Sequence, residues 1–154
     1  MADPGLRRSS LDHRADDFRQ ACAADLSIRE LTFQAQTILR GDPDDPGFRT
    51  GCAGILGCAL PRAPNTVGAR GSLTVLWLGP DEWLIVGPDG SGDPIRAGLR
   101  DALAGLHAAV VDMDAARTVI ELHGGSGTAV LESVCVLDLH PRVFPPGGCA
   151  QTMI

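Results

Sequence analysis

The chain has 154 residues, 44% of them hydrophobic, which is enough for the core of one domain of ordinary size. Its formal net charge is −6, no block of Lys or Arg stands out beyond Arg7-Arg8, and aromatic residues are scarce, so nucleic acid is excluded as the expected partner. No apolar run approaches the ~20 residues of a membrane span, and the N-terminus lacks the apolar stretch of a secretory signal, so the expected compartment is the cytoplasm.

Met1 to about Asp25 mixes Arg, Asp, Ser and Ala without a lasting apolar period and reads as a mobile N-terminal tail, with a short helix around Asp16 to Ala24. Residues 26–154 read as a single domain. From Glu30 to Arg40 the residues Leu31, Phe33, Ala35 and Leu39 fall on alternate positions, which predicts a half-buried strand, with a helix as the open alternative. Gly41 to Asp45 is a turn. Asp45 and Pro46 then make an N-cap and first-residue pair that opens a helix to about Leu60, stopped by Pro61. Phe48, Cys52, Ile55 and Leu56 would share its buried face, although its four glycines weaken it by roughly 1 kcal/mol each against Ala. Arg62 to Gly71 reads as a loop.

Leu73 to Gly87, LTVLWLGPDEWLIVG, holds both tryptophans and the clearest hairpin signal. Two runs of β-branched, aromatic and aliphatic residues flank Gly79-Pro80-Asp81-Glu82, where Pro80 presets φ for a turn. Both faces of this hairpin are apolar, so it is expected to be central and covered on both sides. Pro88 to Gly92 is a turn cluster, and Asp93-Pro94 predicts the start of the best helix in the chain. Ile95, Leu99, Leu103 and Leu106 form its buried stripe, with Arg96 and Asp101 mostly outside it. Ala109 to Met113 predicts a short buried strand and Arg117 to Leu122 another, either as a second hairpin or as a pair split between sheets. Ser126 caps a helix over Gly127 to Cys135, and Leu137 to Leu139 resumes an extended form before the Pro-Gly loop around Pro145 to Gly148. This alternation predicts an α+β fold of antiparallel sheets with packed helices.

Candidates for chemistry are few. Asp81 and Glu82 are adjacent on a turn, so they diverge where a general acid and base must converge; turn structure is the favoured reading. Asp112, Asp114 and Arg117 could grip a carboxylate or an amine, but a local salt bridge fixing the connection is favoured. Gly124, Gly125 and Gly127 lie between a strand and a helix like a phosphate loop, yet Val130 replaces the third glycine of the dinucleotide fingerprint, so a tight turn is preferred. His123, His140 and Cys149 lack the spacing of a metal site or a Cys-His catalytic pair. Asp138 and His140 would share a face, and a hydrogen bond between them is expected to be structural. The cysteines Cys22, Cys52, Cys58, Cys135 and Cys149 form no C-x-x-C pair and fit reduced thiols.

Five stretches carry a resemblance, in order: ELTFQAQTILRGDP (Glu30 to Pro43), LPRAPNT (Leu60 to Thr66), LWLGPDEWLIV (Leu76 to Val86), VVDMDAARTVIELHG (Val110 to Gly124) and LDLHPRVFPPGGCAQT (Leu137 to Thr152). They resemble the gamma subunit family of heterotetrameric sarcosine oxidase across nearly everything from Leu26 onward. Gamma subunits in turn resemble the folate-binding domain of the glycine-cleavage aminomethyltransferase. The resemblance implies an accessory subunit beside alpha, beta and delta subunits. The complex demethylates sarcosine to glycine, with hydrogen peroxide and either formaldehyde or 5,10-methylenetetrahydrofolate as further products. It also implies that FAD, FMN, NAD and tetrahydrofolate belong to the alpha and beta subunits and zinc to delta, and it carries no catalytic, cofactor-binding or metal-binding residue onto this chain. The family continues through a further strand and a C-terminal helix, so a chain stopping at Ile154 is expected to be C-terminally truncated.

The expected contribution of such a chain is an interface, with Trp77 or Trp83 at the edge of an apolar surface and the loop from Phe144 to Cys149 nearby. Two rival readings remain: a stand-alone folate-binding, aminomethyltransferase-like protein, which tight folate binding by the monomer would favour, and a scaffold without an enzyme partner.

Overall fold

The computed structural model describes residues 7–153. Its centre is a five-stranded antiparallel sheet with the order β3-β4-β5-β2-β6, built from Val67–Arg70 (β3), Leu73–Gly79 (β4), Glu82–Gly87 (β5), Ala35–Gly41 (β2) and Ala108–Asp112 (β6). Ser27–Leu31 (β1) and Val119–His123 (β7) make a separate antiparallel pair. Three α-helices accompany the strands in the order Ala15–Ala21 (α1), Pro46–Leu56 (α2) and Gly92–Ala102 (α3), and Gly127–Val134 (α4) follows β7. The expected α+β architecture is therefore present.

The predicted hairpin is the heart of the large sheet. β4 and β5 pair with Trp77 opposite Trp83 and Gly79 opposite Glu82, so only Pro80 and Asp81 turn the chain. Leu39, Val75, Trp83 and Ile85 lie on one face and form a single cluster with Phe48, Cys52 and Leu56 of α2 and with Leu99 and Leu103. Burying each large side chain there contributes about 1.5–3 kcal/mol. Trp83 is 0% exposed, its ring sits 5.8 Å from that of Phe48, and its Nε1 donates to the Pro61 carbonyl at 2.8 Å, so the one polar atom it buries is satisfied. Alternation puts the neighbouring residues on the opposite face, where Val111, Ile38, Leu84, Leu76 and Val67 are paired strand to strand in one apolar row.

α2 starts as its sequence predicts. Asp45 accepts from the N–H groups of Gly47 and Phe48 at 2.7 and 3.2 Å, and Pro46 takes the first position, where no N–H is needed. It ends four residues early, because Gly57 takes a left-handed φ of 68° and closes the last turn through its N–H to Ala53. Phe48, Cys52 and Leu56 are buried as expected, whereas Ile55 leans outward over Gly98 of α3. Where α2 crosses α3, a Cβ on Gly51 would lie 3.1 Å from the Ala102 carbonyl, so that glycine sets the close approach of the helices.

Several expectations are corrected. The strand predicted over Glu30 to Arg40 is two strands in two sheets, because Phe33 adopts φ 57° and turns the chain between β1 and β2. The loop predicted over Arg62 to Gly71 contains β3. α3 begins at Gly92 with Ser91 before it, and the Ser91 hydroxyl bonds to Pro88 O instead of capping the helix. β6 is an edge strand and not a buried one, with Val111 46% exposed. Of the two arrangements expected for the pair after α3, the split between sheets is the one formed, since β6 joins β2 while β7 joins β1.

The predicted tail lies partly outside the described residues. Residues 7–25 are held against the body, with a short 3-10 turn at Asp12–Arg14 before α1. The Ser9 hydroxyl donates to Glu30 at 2.6 Å, and Arg7 pairs with Asp89 at 3.0 Å while lying over the Phe33 ring.

Candidate functional site

Charged side chains gather at the junction between the two sheets. A cavity of about 590 Å3 opens there, walled by the N-terminal segment, the β1–β2 turn, the start of α3 and the connection from β6 to β7. Arg96 lies at this junction and is 4% exposed. Its guanidinium meets Asp114 through both terminal nitrogens, at 3.1 and 3.2 Å, and also reaches Asp93 at 2.7 Å and Asp112 at 3.2 Å. Burial alone would lower the pKa of Arg96, but the carboxylates of Asp114, Asp93 and Asp112 outweigh it and hold the group firmly protonated.

Asp114 also accepts the Gln36 N–H at 2.6 Å, and the Gln36 amide nitrogen donates to Arg117 O at 3.1 Å. These bonds tie β2 to the connection leading into β7. Asp112 and Asp114 thus do serve a salt bridge, as the sequence suggested, but their partner is Arg96 of α3. Arg117 contributes its backbone carbonyl. The helix stripe placed Arg96 outside the buried face, and that is corrected. Its only sequence signal was position, since Arg96 stands three residues after Asp93 and one position after Ile95 in the stripe.

The other candidates are each engaged locally. Asp81 receives a hydrogen bond from Arg40 at 3.0 Å, and Glu82 lies 4.0 Å from the same guanidinium, so both carboxylates brace the hairpin against β2. Gly124, with φ 115°, passes so close to Asp25 O that a side chain would collide with it. Ser126 donates to the Asp25 carboxylate and does not cap α4, which fixes the turn that the three glycines were expected to form. His140 is joined to Asp138 through its backbone N–H at 2.9 Å, while its ring Nδ1 accepts from Arg142 N. His123 ends β7, where the hydrogen bond from Arg29 holds the nearby Glu121 carboxyl below its usual range. Among the described residues no group of three or more His, Cys, Asp or Glu is arranged to hold a metal ion.

Of the four residues expected at an interface, Trp83 is inside the core and cannot form an exposed edge. Cys149 is buried as well, with its Sγ 3.4 Å from the carbonyls of Thr66 and Trp77. Trp77 and Phe144 are half-buried. The segment carrying Cys149 is fastened to the start of β3 by a bridge between Thr66 and Gly148, and Gln151 donates to Leu78 O. The structure thus brings Cys149 against the backbone of Trp77 in β4, beside the start of the edge strand β3. Burial also pushes the thiols of Cys52, Cys58 and Cys149 up from their ordinary value, that of Cys52 to about 12, which disfavours the thiolate at each.

Residues 40–154 match the model of the sarcosine oxidase, gamma subunit family. The sarcosine oxidase subunit gamma of Arthrobacter sp. is 40% identical over 141 residues, which span 90% of this chain and 68% of that protein. The counterpart from Corynebacterium sp. strain P-1 is 38% identical over the same spans. Among solved structures, a heterotetrameric sarcosine oxidase from Corynebacterium sp. U-96 in complex with pyrrole 2-carboxylate aligns with a TM-score of 0.82 at 36% identity, over 90% of this chain and 72% of that one. The glycine cleavage system aminomethyltransferase T from Bartonella henselae aligns with a TM-score of 0.55 at 14% identity, over 77% of this chain and 34% of that one, a likeness of fold alone.

Proposed function

The chain belongs to the sarcosine oxidase gamma subunit family, and from that premise we propose that it serves as the gamma chain of a heterotetrameric sarcosine oxidase. The observation that carries this reading is the 40% identity to a sarcosine oxidase gamma subunit over 90% of the chain. In this reading the partners are alpha, beta and delta subunits. The complex oxidises the N-methyl group of sarcosine, giving glycine and hydrogen peroxide, with the one-carbon unit leaving as formaldehyde or 5,10-methylenetetrahydrofolate. FAD, FMN, NAD, tetrahydrofolate and zinc reside on those other subunits, and the complex works in the cytoplasm.

The part proposed for this chain is assembly. Its carboxylates are turned to holding its own sheets and turns together: Asp112 and Asp114 hold Arg96, and Asp81 and Glu82 hold Arg40. Trp77 and Phe144, half-buried at the surface, are proposed to meet a neighbouring subunit. The test is co-expression of the other three subunits with and without this chain. Sarcosine-dependent peroxide formation by a complex containing it, and loss of that complex without it, is the expected outcome. Full assembly and turnover in its absence would overturn the proposal.

A further inference from the structure

The cavity between the two sheets has walls of two origins. The body of the chain lines it with four carboxylates, those of Glu30, Asp89, Asp93 and Asp114, against two guanidiniums, those of Arg96 and Arg117, which leaves these walls a net charge of −2. The cations that balance them, Arg7 and Arg8, come from the N-terminal segment and are the one basic doublet of the sequence. Arg7 seats its guanidinium between two groups of the body. Its Nη1 donates to both carboxylate oxygens of Asp89 at 3.0 Å, and its Cζ stands 4.2 Å from the centre of the Phe33 ring. A carboxylate beside an aromatic face is a receptor for an organic cation, which pairs with the charge of the one and the negative face of the other. Phe33 presents that ring from a left-handed φ of 57°, a strained conformation for a bulky side chain. The segment that delivers Arg7 is lightly held. None of residues 7–11 is buried, and apart from Arg7 they are tied to the walls by the Ser9 hydroxyl and the Leu11 N–H, which donate to Glu30 at 2.6 and 3.4 Å. Lifting them uncovers no part of the core.

We propose that Phe33 and Asp89 form a binding site for a small organic cation, a guanidinium or an N-alkylated ammonium, and that Arg7 is a competitor built into the chain which fills this site until it is displaced. The charge of the walls selects the ligand: with Arg7 and Arg8 lifted away, four carboxylates face two guanidiniums, and a cation restores the balance that an anion would worsen. The N-terminal segment thus acts as a strap across the cavity, held by the same contacts that the ligand would make. This site lies apart from the proposed assembly surface and does not depend on that reading.

The test is calorimetric titration of the full chain with methylguanidinium, and with methyl phosphate as its anionic counterpart. Arg7→Ala combined with Arg8→Ala removes the competitor without touching the core, and is expected to bind methylguanidinium at least tenfold more tightly than the parent chain while its unfolding midpoint stays close to the parent's. On that background Phe33→Leu, which keeps an apolar side chain but not the ring, and Asp89→Asn, at an exposed turn, are each expected to abolish the gain. Asp89→Asn carries this arm alone if Phe33→Leu does not fold. Equal affinity in the parent and the double variant, or no binding of methylguanidinium by the double variant, would overturn the proposal. So would an affinity that Asp89→Asn leaves unchanged, or tighter binding of methyl phosphate than of methylguanidinium, because the cavity would then select an anion through Arg117.

Discussion

Trp83 and Phe48 stand with their ring centroids 5.8 Å apart and their planes inclined by 38°, joining the middle strand of the large sheet to the first turn of α2. Replacing Trp83 with Ala would empty the centre of the main cluster and orphan the Pro61 carbonyl, so the expected loss is about 3–5 kcal/mol. Urea unfolding of the full chain checks this. A loss below about 1 kcal/mol would place the centre of the core elsewhere.

Two glycines of α2 should respond with opposite signs. Gly51→Val drives a side chain against the Ala102 carbonyl and the Leu103 methyl groups at 3.1–3.2 Å, and should destabilise by about 1–3 kcal/mol. Gly54→Ala meets open space and should stabilise by about 1 kcal/mol. Denaturant midpoints of the two variants, measured side by side, would contradict the helix packing described above if they shifted in the same direction.

Arg96→Met removes the cation shared by Asp93, Asp112 and Asp114 while keeping much of the side-chain volume. The carboxylates retain access to water, so the expected loss is about 2 kcal/mol, short of that for a fully buried pair. Asp93→Asn should cost well under 1 kcal/mol, because the Asp93 side chain is 94% exposed. Equal effects from the two substitutions would mean that Arg96 is not the hub of the junction.

Cys52 predicts a dependence on alkaline pH. In the unfolded chain its thiol ionises near the ordinary 9.0, whereas in the folded chain burial delays ionisation to about 12. Stability contributed by the neutral thiol is therefore intact below pH 9 and falls as pH rises towards 12, since only the unfolded state gives up the proton in that window. Thermal unfolding between pH 8 and pH 11 should show a shallower decline for Cys52→Ala than for the parent chain. At pH 8 a thiol reagent should label exposed Cys22 before Cys52, and early labelling of Cys52 would refute its burial.

Much of this fold can be read in the sequence where local chemistry and tertiary structure agree. Asp45-Pro46 caps α2, Pro80-Asp81 turns the hairpin, and the stripe of Leu99 and Leu103 faces the core, because each signal is carried by neighbouring residues. The failures share a cause. Phe33 looked like a strand residue because alternation continues through it, and only the pairing of β1 with β7, some 90 positions away in sequence, places a turn there. Arg96 looked like a surface residue because its three carboxylates are supplied largely by another element. Trp83 looked like an interface anchor because its type suits one, while its neighbours in space put it at the centre of the core. The candidate surface is the least legible, since an interface is defined by the partner's residues as much as by this chain's own.

Native mass spectrometry of the tagged chain co-expressed with alpha, beta and delta subunits tests most directly whether this chain is one subunit of a sarcosine oxidase. The expected result is a single assembly containing one copy of this chain with three others, yellow from bound flavin and forming peroxide from sarcosine. A colourless chain recovered alone, under conditions where the other three assemble and turn over sarcosine, would contradict it.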